Sequence, residues 1–404
     1  TSERFFALPA NHRLRREFDG YREAEADWLD DYVLYAAIKR HLHERPWYEW
    51  SDELKTPDPA SRASAADALA AEINRARFEQ FIARRQWLEL RAAAADWGIR
   101  IIGDLPIFVA LDSADVWVHR ELFRLRGDNR PAVVAGVPPD YFSASGQLWG
   151  NPLYDWQTHM RDNFAWWRLR LRKLLEWVDV VRIDHFRGFA ACWEVPGGAA
   201  SAVDGSWQAS PGEAFFNAML GEFGKPLPFI AEDLGVITDD VIQLRERFGL
   251  PGMRVMQFAF GDDPMRQTFI PEAFGADCVA YTGTHDNDTV QGWFNSKPGE
   301  SSVRSAEAIA AERAAALEYF GGDGGQIHRD FIAHLLHSDA GAALMPAQDV
   351  IGLGSEARLN QPGSPDGSWR WRLADFSAFK RELPYLGALT RQAERGQAQR
   401  VSID

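Results

Sequence analysis

The stretch VVRIDHFRG, residues 180–188, joins a short apolar run to a charged end. Its β-branched residues predict a buried strand, because such side chains pack well on a pleated sheet. Alternate residues of a strand lie on one face, so Arg182 and Asp184 are expected on the same side. An adjacent guanidinium favours the ionised carboxylate, which is the form that a nucleophile needs. The pair is therefore either a buried structural ion pair or part of a site.

Further short apolar runs flank this stretch, and helical patterns separate them. Strands that alternate with helices predict a parallel sheet covered by helices, hence an α/β protein. The chain has 404 residues, a length that fits one large α/β barrel or two ordinary domains. The apolar runs cover residues 99–104, 178–184, 229–232, 253–258, 278–282 and 343–346.

The first 98 residues follow a different pattern, with apolar side chains at helical spacing. Residues 23–45 predict a helix with one buried face, which Pro46 ends. Residues 61–97 predict one long helix or two, ending at Gly98. We therefore expect residues 1–98 to form a helical subdomain and residues 99–404 to form the α/β part.

Acidic residues follow four of the predicted strands: Asp104, Asp184, Glu232 and Asp286. A single Asp in such a place is often a helix cap or a turn residue. In a parallel β/α barrel, however, the carboxyl ends of all strands lie at one mouth, so a series of acids there predicts a site. Glycoside cleavage needs a pair of carboxylic acids, because one carboxylate attacks the sugar carbon while the other, protonated, supplies the leaving oxygen with its proton. His285 beside Asp286 adds groups that can bind sugar hydroxyls.

The composition argues against several classes of partner and cofactor. The net charge of −14 opposes binding to nucleic acid or to an anionic membrane surface. No apolar run has the length of a spanning helix, no signal peptide is recognisable, and Cys192 and Cys278 are too few for a disulfide framework, so we expect a cytoplasmic protein. We expect no cofactor and no metal, because phosphate loops, Rossmann glycines and metal-ligand sets are absent from the sequence. The 16 Trp residues offer faces that stack on sugar rings.

Four segments resemble the signature regions of the α-amylase clan, in the wording of the 4-alpha-glucanotransferases called amylomaltase or disproportionating enzyme. Segment 138–154 resembles the active-site loop of that family, and NQPG (360–363) with SWRWR (368–372) resembles its C-terminal signature. The likeness covers nearly the whole chain. The four signature segments are GDLPIFV (103–109), RIDHF (182–186), AEDLG (231–235) and THDN (284–287).

The resemblance implies a retaining enzyme with a (β/α)8 TIM barrel and helical insertions, of which residues 1–98 are one. It would transfer α-1,4-glucan segments between maltooligosaccharides through a covalent glycosyl intermediate. Asp184 would be the nucleophile, Glu232 the general acid/base, and Asp286 the third carboxylate, which distorts the sugar.

The resemblance also implies a set of substrate-binding residues. An aromatic lid on the active-site loop would stack on the acceptor glucan and keep water from the intermediate, which favours transfer over hydrolysis. The lid residues are Tyr141, Phe142 and Trp149, and the remaining substrate-binding residues are Asp104, Arg182, His285 and Asn287.

One part of the family pattern has no counterpart before Ile99. The family's first barrel strand and a sugar-binding stretch are not found, and six runs are visible where a barrel needs eight strands. We therefore expect about 90 to 100 N-terminal residues to be absent from this chain, as two strand–helix units require. The oligomeric state is expected to be a monomer or a homodimer. The alternative functions are an α-amylase-type hydrolase and a catalytically silent glucan-binding fragment.

Overall fold

The computed structural model describes residues 2–55, 58–139, 145–298, 304–364 and 366–395. The chain divides into two compact units, Thr1–Phe229 and Ile230–Asp404. None of the helices in the described ranges has the length and apolar character needed to cross a membrane.

Helices make up residues 2–98 as far as they are described, apart from their connections. They are α1 (Ser2–Phe6), α2 (Arg13–Ala24), α3 (Ala26–His41), α4 (Asp52–Lys55), α5 (Pro59–Ala68) and α6 (Ala70–Asp96). Asp58 begins α5, because its carboxylate accepts the backbone N–H groups of Ala60 and Ser61 at 3.0 and 3.1 Å. The helix is interrupted at Leu69, so residues 61–97 form two helices and not one. Helix α3 packs against α6 through its buried face.

The first unit also contains two adjacent parallel strands, β1 (Ile102–Pro106) and β4 (Val180–Asp184). Their register places Asp104 opposite Arg182 and Pro106 opposite Asp184. At the other end of the pair, the Asp179 carboxylate accepts the backbone N–H of Ile101 at 2.7 Å. This register determines which charged groups meet at the carboxyl ends of the strands. The helices in this part of the unit are α7 (Ala114–Val118), α8 (Trp156–Arg161), α9 (Ala165–Trp177) and α10 (Gly212–Phe223).

A four-stranded antiparallel sheet lies in the same unit. Its strands are β2 (Val133–Val137), β3 (Gln147–Pro152), β5 (Ala191–Pro196) and β6 (Ser206–Ala209). The strand order is β3-β2-β5-β6. The sequence did not indicate this sheet, because its outer strands are short and largely exposed and have no apolar run. Pairing between neighbouring strands holds them in place.

The boundary between the units falls inside β7 (Phe229–Ala231). The remaining elements are β8 (Gly252–Val255), β9 (Cys278–Tyr281), β10 (Ala342–Leu344), α11 (Asp239–Arg247), α12 (Val290–Asn295), α13 (Ala306–Phe320), α14 (Ile327–His337), α15 (Ala347–Ile351) and α16 (Ser377–Gln392). The second unit has a parallel sheet in the order β10-β9-β8, and its core contains Met256, Phe260, Trp293 and Phe331. Each apolar run of the sequence overlaps one of the strands β1, β4, β7, β8, β9 or β10.

Candidate active site

Arg182 joins two of the predicted acids in the first unit. Its Nη1 lies 2.7 Å from Asp104 Oδ1, and its Nη2 lies 3.0 Å from Asp184 Oδ1. The Arg182 side chain is 11% exposed, whereas those of Asp104 and Asp184 are 45% and 44% exposed. A largely buried cation thus supports two carboxylates that solvent or a ligand can reach. Strand register explains the arrangement, because Asp104 and Arg182 are directly opposite and Asp184 follows on the same face.

His185 connects the end of β4 to the predicted active-site loop. Its backbone is left-handed, with φ of 52°, so the chain turns sharply after Asp184. Its imidazole contacts the Trp149 indole edge to face, with ring centroids 4.7 Å apart. Burial, together with the Arg187 charge, lowers the pKa of His185 to about 4, so the ring is neutral near pH 7. This contact brings Trp149 next to the Arg182–Asp184 segment.

The segment 138–154, predicted to be a loop, contains strand β3, and its described part is anchored to the segment that follows β1. The Asn151 side chain donates to the Val109 carbonyl at 2.9 Å, and the Tyr154 hydroxyl donates to the Ile107 carbonyl at 2.6 Å. Trp149 itself is partly exposed and donates to the Gln147 side chain at 3.1 Å. Tyr141 and Phe142, the other two predicted lid residues, lie outside the described residues.

Glu232 directly follows β7 in the second unit, and its Oε1 accepts the backbone N–H of Leu234 at 3.1 Å. The next residue, Asp233, is buried and has another function. It accepts the Met253 N–H at 2.7 Å and pairs with Arg254 at 3.3 Å and Arg245 at 3.4 Å. Burial raises its pKa, and the two arginines oppose that shift. Asp233 therefore joins the end of β7 to β8.

The third predicted acid, Asp286, lies in the loop after β9 and is held from several sides. Its Oδ1 accepts the Asn360 amide at 2.6 Å, and its Oδ2 lies 3.3 Å from His285 Nε2. The Arg358 guanidinium donates to the Asp286 backbone carbonyl at 2.8 Å, and the Asp286 N–H donates to Thr284 at 3.3 Å. These contacts orient the carboxylate.

Asn287 closes the turn that presents His285 and Asp286. Its side-chain oxygen accepts both the N–H and the hydroxyl of Thr284, at 2.9 and 2.8 Å. The ring centroids of Trp369 and His285 lie 5.2 Å apart, and Trp369 is about half exposed. Arg358, Asn360 and Trp369 thus contact the predicted pair of His285 and Asp286.

The roles of Asn360 and Trp369 were not foreseen from the sequence. Both belong to the segments recognised as a C-terminal signature, but nothing local indicates that they contact residues more than 70 positions earlier. The Asn360–Asp286 bond, for example, spans 74 residues. Within the described ranges, no group of three or more His, Cys, Asp or Glu side chains is arranged to hold a metal ion.

The comparisons with known proteins agree on one family. Residues 3–377 match the family model described as 4-alpha-glucanotransferase. The 4-alpha-glucanotransferase of Thermus thermophilus is 46% identical over 401 residues, which cover 97% of this chain and 77% of that protein. The protein of the same name from Synechocystis is 43% identical over 89% of this chain and 69% of that protein.

A solved structure is similar in fold as well as in sequence. The amylomaltase from Streptococcus agalactiae, determined in complex with acarbose, superposes with a TM-score of 0.87 at 33% identity, covering 95% of this chain and 75% of that one. The resemblance found in the signature segments is thus confirmed over nearly the whole length of the sequence. The chain belongs to the 4-alpha-glucanotransferase family.

Proposed function

We propose that this protein transfers α-1,4-glucan segments between maltooligosaccharides with retention of configuration, through a covalent glycosyl–Asp184 intermediate. The observation that carries the proposal is the Arg182 guanidinium, which lies between Asp104 and Asp184 at 2.7 and 3.0 Å. A cation in that position favours the anionic carboxylate, and the partial exposure of Asp184 leaves it accessible to a sugar carbon.

The remaining roles follow from the chemistry of a double displacement. Glu232 protonates the leaving glycosidic oxygen and then deprotonates the acceptor hydroxyl that attacks the intermediate. Asp286 and His285 bind sugar hydroxyls and distort the ring, and Asn287 shapes the turn that carries them. Asp104 and Arg182 line the site beside the nucleophile.

Trp149 provides the aromatic surface for an acceptor sugar that favours transfer over hydrolysis. Its partly exposed indole rests on the neutral His185 imidazole, so it can present a face to an acceptor sugar. We propose that Tyr141 and Phe142 complete this lid. An acceptor that stacks there displaces water from the intermediate, and the glycosyl group then passes to a sugar hydroxyl.

Three further proposals accompany this function. The parallel pairs of strands within each unit, with helices between them in sequence, support a (β/α)8 barrel as the catalytic part. The all-helical character of the described part of residues 2–98 supports a separate helical subdomain there. The free, buried Cys192 and Cys278 support the cytoplasm as the compartment of the protein.

The test uses maltotriose and an activated donor. A transferase converts maltotriose into glucose and a ladder of longer oligosaccharides without a net gain of reducing ends, whereas a hydrolase releases reducing ends. With α-maltosyl fluoride, Glu232→Gln should accumulate a covalent adduct, because fluoride leaves without protonation and the second step then lacks its base. Peptide mass mapping should place the adduct on Asp184, and an adduct on another residue would refute the assignment.

A further inference from the structure

Both ends of the loop 282–290, which carries His285 and Asp286, are bound by one buried carboxylate. Asp349 is 1% exposed and lies in α15. Its Oδ2 accepts the Thr282 hydroxyl at 2.6 Å, directly after β9, and its Oδ1 accepts the Val290 N–H at 2.8 Å, at the start of α12. The two oxygens of a single side chain therefore connect the entry and the exit of the loop.

Asp349 is held in place by the core of the second unit. Its neighbour Val350 is buried in a hydrophobic cluster with Ile332, Leu336 and Leu389. A side chain fixed in this way transmits the position of α15 to the ends of the loop. A short loop whose two ends are fixed has few conformations left, so Asp286 inside it is confined as well.

The environment of Asp349 is unfavourable for a charge. Across the described ranges no cation pairs with it, and its carboxylate is held by the two hydrogen bonds to Thr282 and Val290. Burial, aided by the nearby Asp288 charge, raises the pKa of Asp349 to about 6 despite those bonds. An ionised group in such a place costs stability, so its presence calls for a compensating use.

We propose that Asp349 is a positioning residue that sets the location of Asp286 by clamping both ends of loop 282–290. This inference rests on the proposed function of Asp286 as the third carboxylate. Asn360 and Arg358 hold Asp286 from outside the loop, whereas Asp349 determines where the loop begins and ends. Thr282 and Val290 are the residues through which it acts.

The experiment compares variants of the full protein by kcat and KM for maltotriose disproportionation and by thermal melting. Asp349→Ala should lower kcat roughly 10- to 100-fold with KM changed less than about threefold, because the misplaced carboxylate acts mainly in the transition state. Asp349→Asn should recover kcat to within about threefold of the unmodified protein, since an Asn side chain can still hydrogen-bond at this position. Its oxygen can accept the Val290 N–H, and its amide can donate to the Thr282 hydroxyl.

Asp179→Ala is the matched control, because Asp179 also joins a backbone N–H and a side chain, Ile101 N and Arg91 Nη2, each at 2.7 Å. It lies at the strand ends away from Asp104 and Asp184. This variant should lose melting temperature but keep its kcat. If Asp349→Ala does not fold, Thr282→Val removes one of the two hydrogen bonds without changing side-chain size and should lower kcat in the same direction.

The outcomes separate this inference from the proposed function. Asp286→Asn should lose at least about 100-fold in kcat if Asp286 is the third carboxylate; if it does not, both ideas fail. If Asp286→Asn is inactive but folded Asp349→Ala and Thr282→Val keep normal kcat, the clamp alone is refuted. The clamp is also refuted if Asp349→Asn is as damaged as Asp349→Ala, because the charge and not the placement would then matter.

Discussion

Arg182 is shared by two carboxylates, and this sharing makes the position specific for arginine. The planar guanidinium reaches Asp104 through one terminal nitrogen and Asp184 through the other. A lysine ammonium is a point charge on a flexible stem and could not hold both geometries at once. The same residue also keeps two neighbouring negative charges compatible, which a substrate-binding carboxylate beside a nucleophile requires.

The charge state of His159, like that of His185, depends on its surroundings. It is fully buried among the rings of Tyr154, Trp156 and Trp166, and burial lowers its pKa from 6.5 to about 4. The unfolded chain therefore binds more protons than the folded one between these two values. The stability contributed by neutral His159 is present above pH 6.5 and is lost as the pH falls towards 4.

Replacing His159 with Phe should remove this acid sensitivity. Between pH 7 and pH 4.5 the free energy of unfolding of the unmodified protein should fall by about 2 to 3 kcal/mol more than that of the variant, given the shift of the His159 pKa from 6.5 to about 4. Urea unfolding at both pH values measures the difference. His41→Ala, at an exposed position, is the control and should follow the unmodified protein. Equal losses for all three proteins would contradict the account.

Among the elements, β3 with the glycine that precedes it is the one on which transfer is expected to depend, because β3 carries Trp149. Gly146 and Gly150 both have positive φ, 65° and 78°, yet their surroundings differ. A Cβ at Gly146 would lie 2.3 Å from the Val137 carbonyl oxygen and 2.9 Å from the Ala202 Cβ, whereas Gly150 has open space. Backbone conformation alone favours glycine at position 150, and close packing requires it as well at position 146.

Gly146→Ala should therefore displace the base of the loop and with it Trp149, while Gly150→Ala should cost only about 1 kcal/mol of strain. We expect the ratio of transfer to hydrolysis on maltotriose to fall severalfold for Gly146→Ala and to change little for Gly150→Ala. Glucose release and free reducing ends, measured on the same digest, give this ratio. If both variants leave it unchanged, the loop does not control the fate of the intermediate.

For the molecule as a whole, the helical segment is connected to the rest of the first unit by a buried charge cluster. Glu25 stands between α2 and α3 and is buried. It accepts the Trp28 indole N–H at 2.6 Å and pairs with Lys173 of α9 at 2.9 Å and Arg84 of α6 at 3.3 Å. Helix α9 leads into β4, so this cluster links the helices to the strand that bears Asp184.

Glu25→Gln should weaken that link without touching the chemistry. Lys173 and Arg84 would lose their buried counter-charge, and we expect a loss of about 2 kcal/mol, less than for fully buried pairs because both cations are partly exposed. The melting temperature should fall by several degrees while kcat stays unchanged. Glu17→Gln, at a more exposed carboxylate that pairs with Arg13 and Arg85 at 2.6 and 3.7 Å, should change neither. If kcat also fell in Glu25→Gln, the helices would take part in catalysis.

The sequence by itself determined the main helices, the parallel strands and the chemical character of the strand ends. The spacing of apolar residues and the positions of β-branched side chains located the parallel strands and the main helices, because these preferences act within a few residues. The acids Asp104, Asp184 and Glu232 could be recognised for the same reason, since each lies in or directly after an apolar run. The exposed antiparallel sheet was not predicted, because its outer strands have no hydrophobic pattern of their own and form through pairing with neighbouring strands.

Only the tertiary structure decided which of these groups meet. The Arg182–Asp104 pair spans 78 residues, the Asn360–Asp286 bond 74, and the Asp349–Thr282 bond 67. No local preference specifies a partner at such separations, because it depends on strand register and on how helices pack in each unit. The sequence thus named the charged groups, and packing selected the partners that hold Asp184 and Asp286 in position.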